Sequence, residues 1–384
     1  MKKTLLATAV IGALGASAAA QAATVYDQDG TSLNIYGRLA YAVQTGNTGG
    51  TQETGYKDDG SEFNDLGSRF GFIADHQVTR DLSVFARMEL RGAGDARNND
   101  GFDTVRNTYV GVDSNSFGKV TVGNFDNVYY QSGGVMFDVP EASGAALLGG
   151  FGNIGSHGDS IAYSTPNLEG FRAHLQAKHL SGNATEQEIR DVNGNLVDVA
   201  LYNDGSEFDR GQDNSSTVTM SAAVDYTWQD LYVSVAYNQA KDVSDRGAAY
   251  DNGQGALPAG EDLMGIFASY NFTPEFLVRA KYEEVTDVNS DLGSNSSAIE
   301  SIAGLGATFD YGMGDIYGDY YRVSTVGSEV DSRNQWVVGA SYRFSEPMYV
   351  FAEVAEFDAD FSGDQQINEL NDDTLTTLGV RYDF

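Results

Sequence analysis

The amino-acid sequence predicts an all-β protein, an antiparallel sheet of about sixteen strands closed into a transmembrane barrel. Three observations predict it. Segments of roughly ten residues alternate apolar and polar side chains with a period of two. The connections between them alternate short and long. The apolar faces end in Tyr, Trp and Phe, which suits the headgroup levels of a bilayer, and beyond the first residues nothing approaches the ~18 uninterrupted apolar residues of a spanning helix.

Composition agrees with this and narrows the function. The chain has 384 residues and is 41% hydrophobic, yet 22 Tyr and 20 Phe make it too aromatic for disorder along its whole length. With 23 Lys and Arg against 55 Asp and Glu, its net charge of −32 repels nucleic-acid phosphates. The absence of cysteine excludes a disulfide framework, a thiolate metal site and a cysteine nucleophile.

Taken in order, the chain opens with Lys2 and Lys3, an apolar and small-residue run from Leu5 to Ala20, and then Ala20-Gln21-Ala22. This is the pattern of a secretory signal cut between Ala22 and Ala23. The alternative, an uncleaved anchor, is disfavoured because the run is Ala/Gly-rich and slightly short for a stable span. Cleavage leaves residues 23–384 as a single domain of charge −34, with no linker and no repeat of fixed period.

The first strand is expected at 32–44. Leu33, Ile35, Leu39, Tyr41 and Val43 line one face; Asn34, Tyr36, Arg38, Ala40, Ala42 and Gln44 line the other. Strands follow at 67–78, 82–91, 103–112, 117–125, 158–164 and 170–180. The next, 216–228, alternates most cleanly, Val218, Met220, Val224, Tyr226 and Trp228 against Thr217, Thr219, Ser221 and Asp225. The series continues at 231–241, 262–272, 276–285, 299–311, 315–323, 333–344 and 348–358. It ends at 374–384, where Leu378, Val380, Tyr382 and Phe384 oppose Gly379, Arg381 and Asp383. Short turns such as Thr79-Arg80-Asp81 and Gln229-Asp230 alternate with long connections near 45–66, 92–102, 126–157, 181–215, 242–261, 286–298, 324–332 and 359–373. Pro166, Pro274 and Pro347 sit in short turns, and Pro140 and Pro258 in long connections, so no proline removes a ladder hydrogen bond. A soluble sandwich also alternates, but its outer face is rich in Lys and Glu, whereas the polar face here is largely Ser, Thr, Gly and Ala. Open edges cannot stand in hydrocarbon, so the sheet must close.

The residues resemble the general porins of the Gram-negative outer membrane. The likeness runs over the mature chain and is carried by Asp29-Gly30-Thr31-Ser32-Leu33-Asn34-Ile35-Tyr36-Gly37-Arg38, Ser68-Arg69-Phe70-Gly71-Phe72, Arg106-Asn107-Thr108-Tyr109-Val110-Gly111 and the closing Leu378-Gly379-Val380-Arg381-Tyr382-Asp383-Phe384. The resemblance implies a homotrimer of 16-stranded barrels among outer-membrane lipid and lipopolysaccharide, needing no cofactor, with its third long loop folded inward and Tyr382 and Phe384 as a barrel-assembly signature.

By that likeness the inward loop is 126–157, and its Glu141 and Asp138 face the pore. Arg38, Arg69 and Arg106 occupy the positions of the family's basic wall, and Glu89 matches an acid that the family pairs with it. Alternation independently places Arg38 with Asn34 and Gln44, Arg69 opposite Phe70 and Phe72, and Arg106 with Thr104 and Thr108. A charge on a lipid face costs roughly 2–4 kcal/mol at the midplane, which favours inward placement. The chain departs from the family at Asn124 and Ser156-His157, where further arginines are common; Arg87, beside Glu89, replaces part of that charge.

Enzyme chemistry finds little support. His76, His157, His174 and His179 show no metal-ligand spacing, and His174 shares the inward side with Arg172, Gln176 and Lys178. Asp191-Val192-Asn193-Gly194-Asn195 looks faintly like a calcium loop but lacks the downstream Glu, and is expected as a hairpin tip within 181–215. The expectation is a non-enzymatic channel for passive diffusion of small hydrophilic solutes and ions. A modest cation preference follows from the acidic connections, 181–215 alone carrying eight acids against Arg190 and Arg210. The alternatives are a substrate-specific channel and a structural or adhesive barrel that binds partners through its acidic loops.

Overall fold

The computed structural model describes residues 22–45, 61–92, 104–142, 157–180, 185–190, 196–202, 217–239, 260–288, 299–325, 332–357 and 374–384. Residues 1–21 of the expected signal segment, residues 143–156 of the expected inward loop and the expected 191–195 tip lie outside them.

Sixteen strands form one closed wall. The first eight are β1 (Thr31–Thr45), β2 (Arg69–Gln77), β3 (Leu82–Arg91), β4 (Thr104–Ser114), β5 (Gly118–Asn124), β6 (Ser160–Ser164), β7 (Phe171–Leu180) and β8 (Thr217–Trp228). The others are β9 (Leu231–Gln239), β10 (Gly260–Thr273), β11 (Phe276–Val288), β12 (Ile299–Asp310), β13 (Asp315–Thr325), β14 (Arg333–Ser345), β15 (Met348–Phe357) and β16 (Thr374–Asp383). Each pairs antiparallel with the next, and β16 returns to β1 from Arg38↔Asp383 to Thr45↔Thr376. Gly37 and Phe384 exchange both backbone hydrogen bonds at the seam, at 2.7 and 3.0 Å. Phe384 lays its ring where a side chain at Gly37 would stand, so glycine is needed there. The sixteen expected segments coincide with these strands to within a few residues at their ends.

Two short strands lie outside that expectation. Ala23–Gln28 pairs with β1 beside β16, and Ser61–Asp65 pairs with β1 beside β2, so both edges of the fifteen-residue β1 are covered along its length. The break between Ser61–Asp65 and β2 is a turn in which the Asp65 carboxylate accepts from the backbone N–H groups of Gly67 and Ser68, with Gly67 at φ +82°. Within 181–215, Thr185–Arg190 and Leu196–Tyr202 form the expected hairpin.

The wall separates two environments. Leu378 is 65% exposed on the outside, whereas Thr377 beside it is fully enclosed. Val235, Ile266, Leu305 and Val338 repeat that outward apolar exposure, far beyond what a water-soluble surface carries. Aromatic rings gather where the strands meet their short turns: Phe117, Phe171, Trp228, Phe272, Phe309 and Phe344 are all exposed there. Pairs such as Tyr270–Phe272 and Tyr342–Phe344 pack edge to face, at 4.9 and 5.2 Å between centroids.

Inside the wall, the chain after β5 turns into the lumen. A helical turn, α1 (Val128–Ser132), starts at Asn127, whose side chain accepts from Tyr130 N at 2.7 Å, and a 3-10 turn (Gly134–Phe137) follows. Tyr129, Met136 and Phe137 form one buried cluster with Ala236, Leu263, Phe267, Ile302, Tyr321 and Val337 of the wall. The backbone is anchored too: Tyr232 and Ser234 hydroxyls each donate to Ser132 O at 2.7 Å, and Val128 N donates to Gln176 Oε1 at 2.9 Å. The inner segment is therefore docked on β7 to β14.

Candidate functional site

The functional side chains are built on β1 to β4, β15, β16 and the inner segment. On the first four strands Glu89 is the hub, fully enclosed although charged. It accepts from Tyr36 OH at 2.8 Å, Arg87 Nη2 at 2.9 Å, Arg106 Nη1 at 2.6 Å and Asn107 Nδ2 at 3.1 Å, while Arg69 Nη1 stands at 4.0 Å. The three guanidiniums keep 19–21% side-chain exposure, so they cover the carboxylate and face the lumen themselves. Arg106 also reaches Asp126 at 3.8 Å, and His157 holds the same carboxylate at 3.2 Å. Burial, with Arg106 and Lys178 adding repulsion, lowers the His157 pKa, which Asp126 opposes.

One expectation is corrected here. Alternation puts Thr108 on the side of Arg106, but the β3–β4 register shifts between Glu89↔Asn107 and Leu90↔Val105. This bulge turns Asn107 inward to Glu89 and leaves Thr108 exposed on the outside. Arg106 itself stays inward.

Arg38 stands apart from the hub. It pairs with Asp383 at 3.2 Å, and Asp383 accepts from Arg381 Nε at 2.8 Å. Arg381 Nη1 lies 3.0 Å from both oxygens of Glu141, which also accepts from Tyr349 OH. Glu353 receives the backbone N–H groups of Glu141 and Ala142 and, at 2.6 Å, Tyr317 OH. An unbroken polar chain thus runs from Glu353 through Glu141, Arg381 and Asp383 to Arg38. Burial pushes the Glu141 carboxyl up to about 7, against the attraction of Arg38 and the hydrogen bond from Tyr349, with Glu353 and Asp383 adding repulsion. Asp138 is exposed, takes a hydrogen bond from Tyr130 OH at 2.5 Å and acts electrostatically on Arg69.

The structure therefore gathers Arg69, Arg87 and Arg106 on Glu89, places Arg38 on the neighbouring Asp383, and sets Glu141 against Arg381 rather than against the hub. Asn124 contributes no charge but fastens the segment's base, its Oδ1 accepting from Gly158 N while His157 N donates to Phe125 O at 2.8 Å. Sequence reasoning missed Arg381, Glu353 and Tyr349 as partners of the inner segment, and Asp126. The signal was available for the first three: each is a polar residue at inward parity of its strand.

His174 stands elsewhere on the inner wall, between Ser164 Oγ at 2.7 Å and Asp225 at 2.6 Å. A serine, a histidine and an aspartate in a row resemble a nucleophilic set, but Arg172 shares the Asp225 carboxylate at 3.2 Å, making the row a charge-balanced stretch of lining.

A family model described as Gram-negative porin matches residues 7–362. The chain is 29% identical over 392 residues to a monosaccharide porin of Halomonas sp, covering 93% of this chain and 95% of that protein. It is 25% identical over 400 residues to the outer membrane porin PhoE of Klebsiella oxytoca, each covered in full. Among solved structures, Salmonella typhi OmpF in complex with daunomycin superposes with a TM-score of 0.63 at 17% identity, over 94% of this chain and 100% of that one. An anion-selective porin from Comamonas acidovorans gives 0.62 at 17%, over 92% and 100%.

Proposed function

The chain belongs to the Gram-negative porin family, and from that premise we propose that it is a general diffusion pore with a modest cation preference, narrowed by the segment from Asp126 to Ala142. As a porin it forms an outer-membrane channel for passive diffusion, not an enzyme. Charge balance carries the cation preference. The guanidiniums of Arg38, Arg69, Arg87, Arg106 and Arg381 are met by Glu89, Asp126, Glu141 and Asp383, so the inner wall has little net charge of its own. The chain's excess of acids then lies largely in its long connections, where it raises cation concentration near the mouth. Purified protein in a planar bilayer under a KCl gradient tests this. The reversal potential should show cation preference that strengthens as salt falls, and anion selectivity at low salt would overturn it.

Passage of monosaccharides is the solute class supported by the name of the Halomonas relative, and swelling of protein-loaded vesicles in pentoses and hexoses tests it. The homotrimer, set among lipid and lipopolysaccharide, rests on the family; conductance steps grouped in threes are expected, and single steps would count against it. Signal cleavage between Ala22 and Ala23 fits the start of the short strand Ala23–Gln28, and the mass of the purified chain checks it.

A further inference from the structure

Phe137 is the aromatic ring of the inner segment's 3-10 turn, with no exposed surface. Its ring lies between two cations of β11: Arg279 Cζ is 5.6 Å from the centroid and Lys281 Nζ 5.1 Å. The Tyr321 ring flanks it at 5.9 Å. Both cations are themselves held. Arg279 bonds Asp319 at 2.6 Å and Thr308 Oγ1 at 2.8 Å, and Lys281 bonds Glu283 at 2.6 Å. Arg279 reaches Asp319 by crossing β12 at Gly306, where any side chain would collide with Asp319 Oδ1.

Such a floor is an expensive place to bury a phenyl ring. Four ionised groups sit at 0–2% side-chain exposure, and apolar residues of the same volume pack a ring without the desolvation penalty. Among the described residues, Arg279 Nε and Gln335 Oε1 are buried there without a hydrogen-bond partner. What the cations supply in return is attraction to a π face, strongest where the cation is desolvated. We propose that Phe137 is the positioning residue of the pore: its ring, seated between Arg279 and Lys281, fixes the inner segment to the wall and thereby sets the free cross-section. The inference rests on the reading of this segment as the constriction.

The test compares four variants at this anchor, and Glu141→Lys as a control on the constriction, with the parental protein in planar bilayers and in vesicle swelling with solutes of rising size. Phe137→Ala should assemble a barrel of unchanged heat-modifiable gel mobility, yet conduct more with greater current noise and admit larger sugars, a shift of at least one saccharide unit. Phe137→Trp, which keeps a π face, should retain the parental conductance and size limit. Phe137→Leu, apolar but without a π face, should behave like the alanine variant. The neutral double variant Lys281→Met/Glu283→Gln should also become noisier with Phe137 intact. An alanine variant with parental conductance and size limit would overturn the proposal, as would a leucine variant indistinguishable from the tryptophan one. If Glu141→Lys shifts selectivity while Phe137→Ala is silent, the constriction stands and only the anchor falls; if neither has any effect, the constriction itself is misplaced.

Discussion

Glu89→Gln separates the two contributions of the arginine hub, its stability and its field. Glutamine keeps the size of the side chain and one acceptor but places an amide where a carboxylate holds Arg106 at 2.6 Å and Arg87 at 2.9 Å. Removing one partner from a buried ion cluster costs about 3–5 kcal/mol, because the remaining charges lose their counter-charge. The three guanidiniums retain 19–21% side-chain exposure to lumen water, which places the loss near the lower end, about 3 kcal/mol. The field changes by one unit of positive charge. For an ion ~8 Å away in a water-like medium this is about 0.5 kcal/mol, a two-fold loss of cations and a two-fold gain of anions, or a change of about four- to six-fold in the permeability ratio. Added salt erases it, since the Debye length falls to about 8 Å at 0.15 M and about 3 Å at 1 M. Unfolding followed by heat-modifiable gel mobility measures the stability change, and reversal potentials at low and high KCl measure the field. A variant with lowered stability but an unchanged reversal potential at low salt would refute the placement of Arg69, Arg87 and Arg106 along the ion path.

Other outcomes follow from the same contacts. Because the Glu141 carboxyl is raised to about 7, it is ionised at pH 8 and takes up a proton as pH falls through 7, so cation preference should weaken between pH 8 and 6. Glu141→Gln should flatten that titration, which reversal potentials across the range will show. Neutralising Arg38 or Arg69 by Gln should raise cation preference in the same assay, since either change removes one positive charge from the lumen wall and leaves Asp383 or Glu89 with less counter-charge. Gly306→Ala forces a methyl group onto Asp319 Oδ1 and should break the fully buried Arg279–Asp319 pair, costing about 3–5 kcal/mol in the gel-shift unfolding assay.

The sequence by itself determined the wall. A barrel strand has lipid on one side and lumen on the other, so its chemistry must alternate, and all sixteen strands carry that signal locally. It also placed Arg38, Arg69, Arg87, Glu89 and Arg106 inward, because a charge facing lipid is costly wherever the partner lies. Only the tertiary structure decided which charges meet. Arg381 and Glu141 are 240 residues apart, and nothing near either names the other. The register shift that turns Asn107 inward is a property of the β3–β4 pair, so neither strand alone encodes its place. The docking of the inner segment was the least legible. Phe267, Ile302 and Val337 sit at inward positions where alternation predicts polar lining, and they are apolar because Tyr129, Met136 and Phe137 cover them. A two-residue period reports which side of the sheet a residue faces. Whether that side meets water or another part of the chain is settled only when the barrel has closed around its own loop.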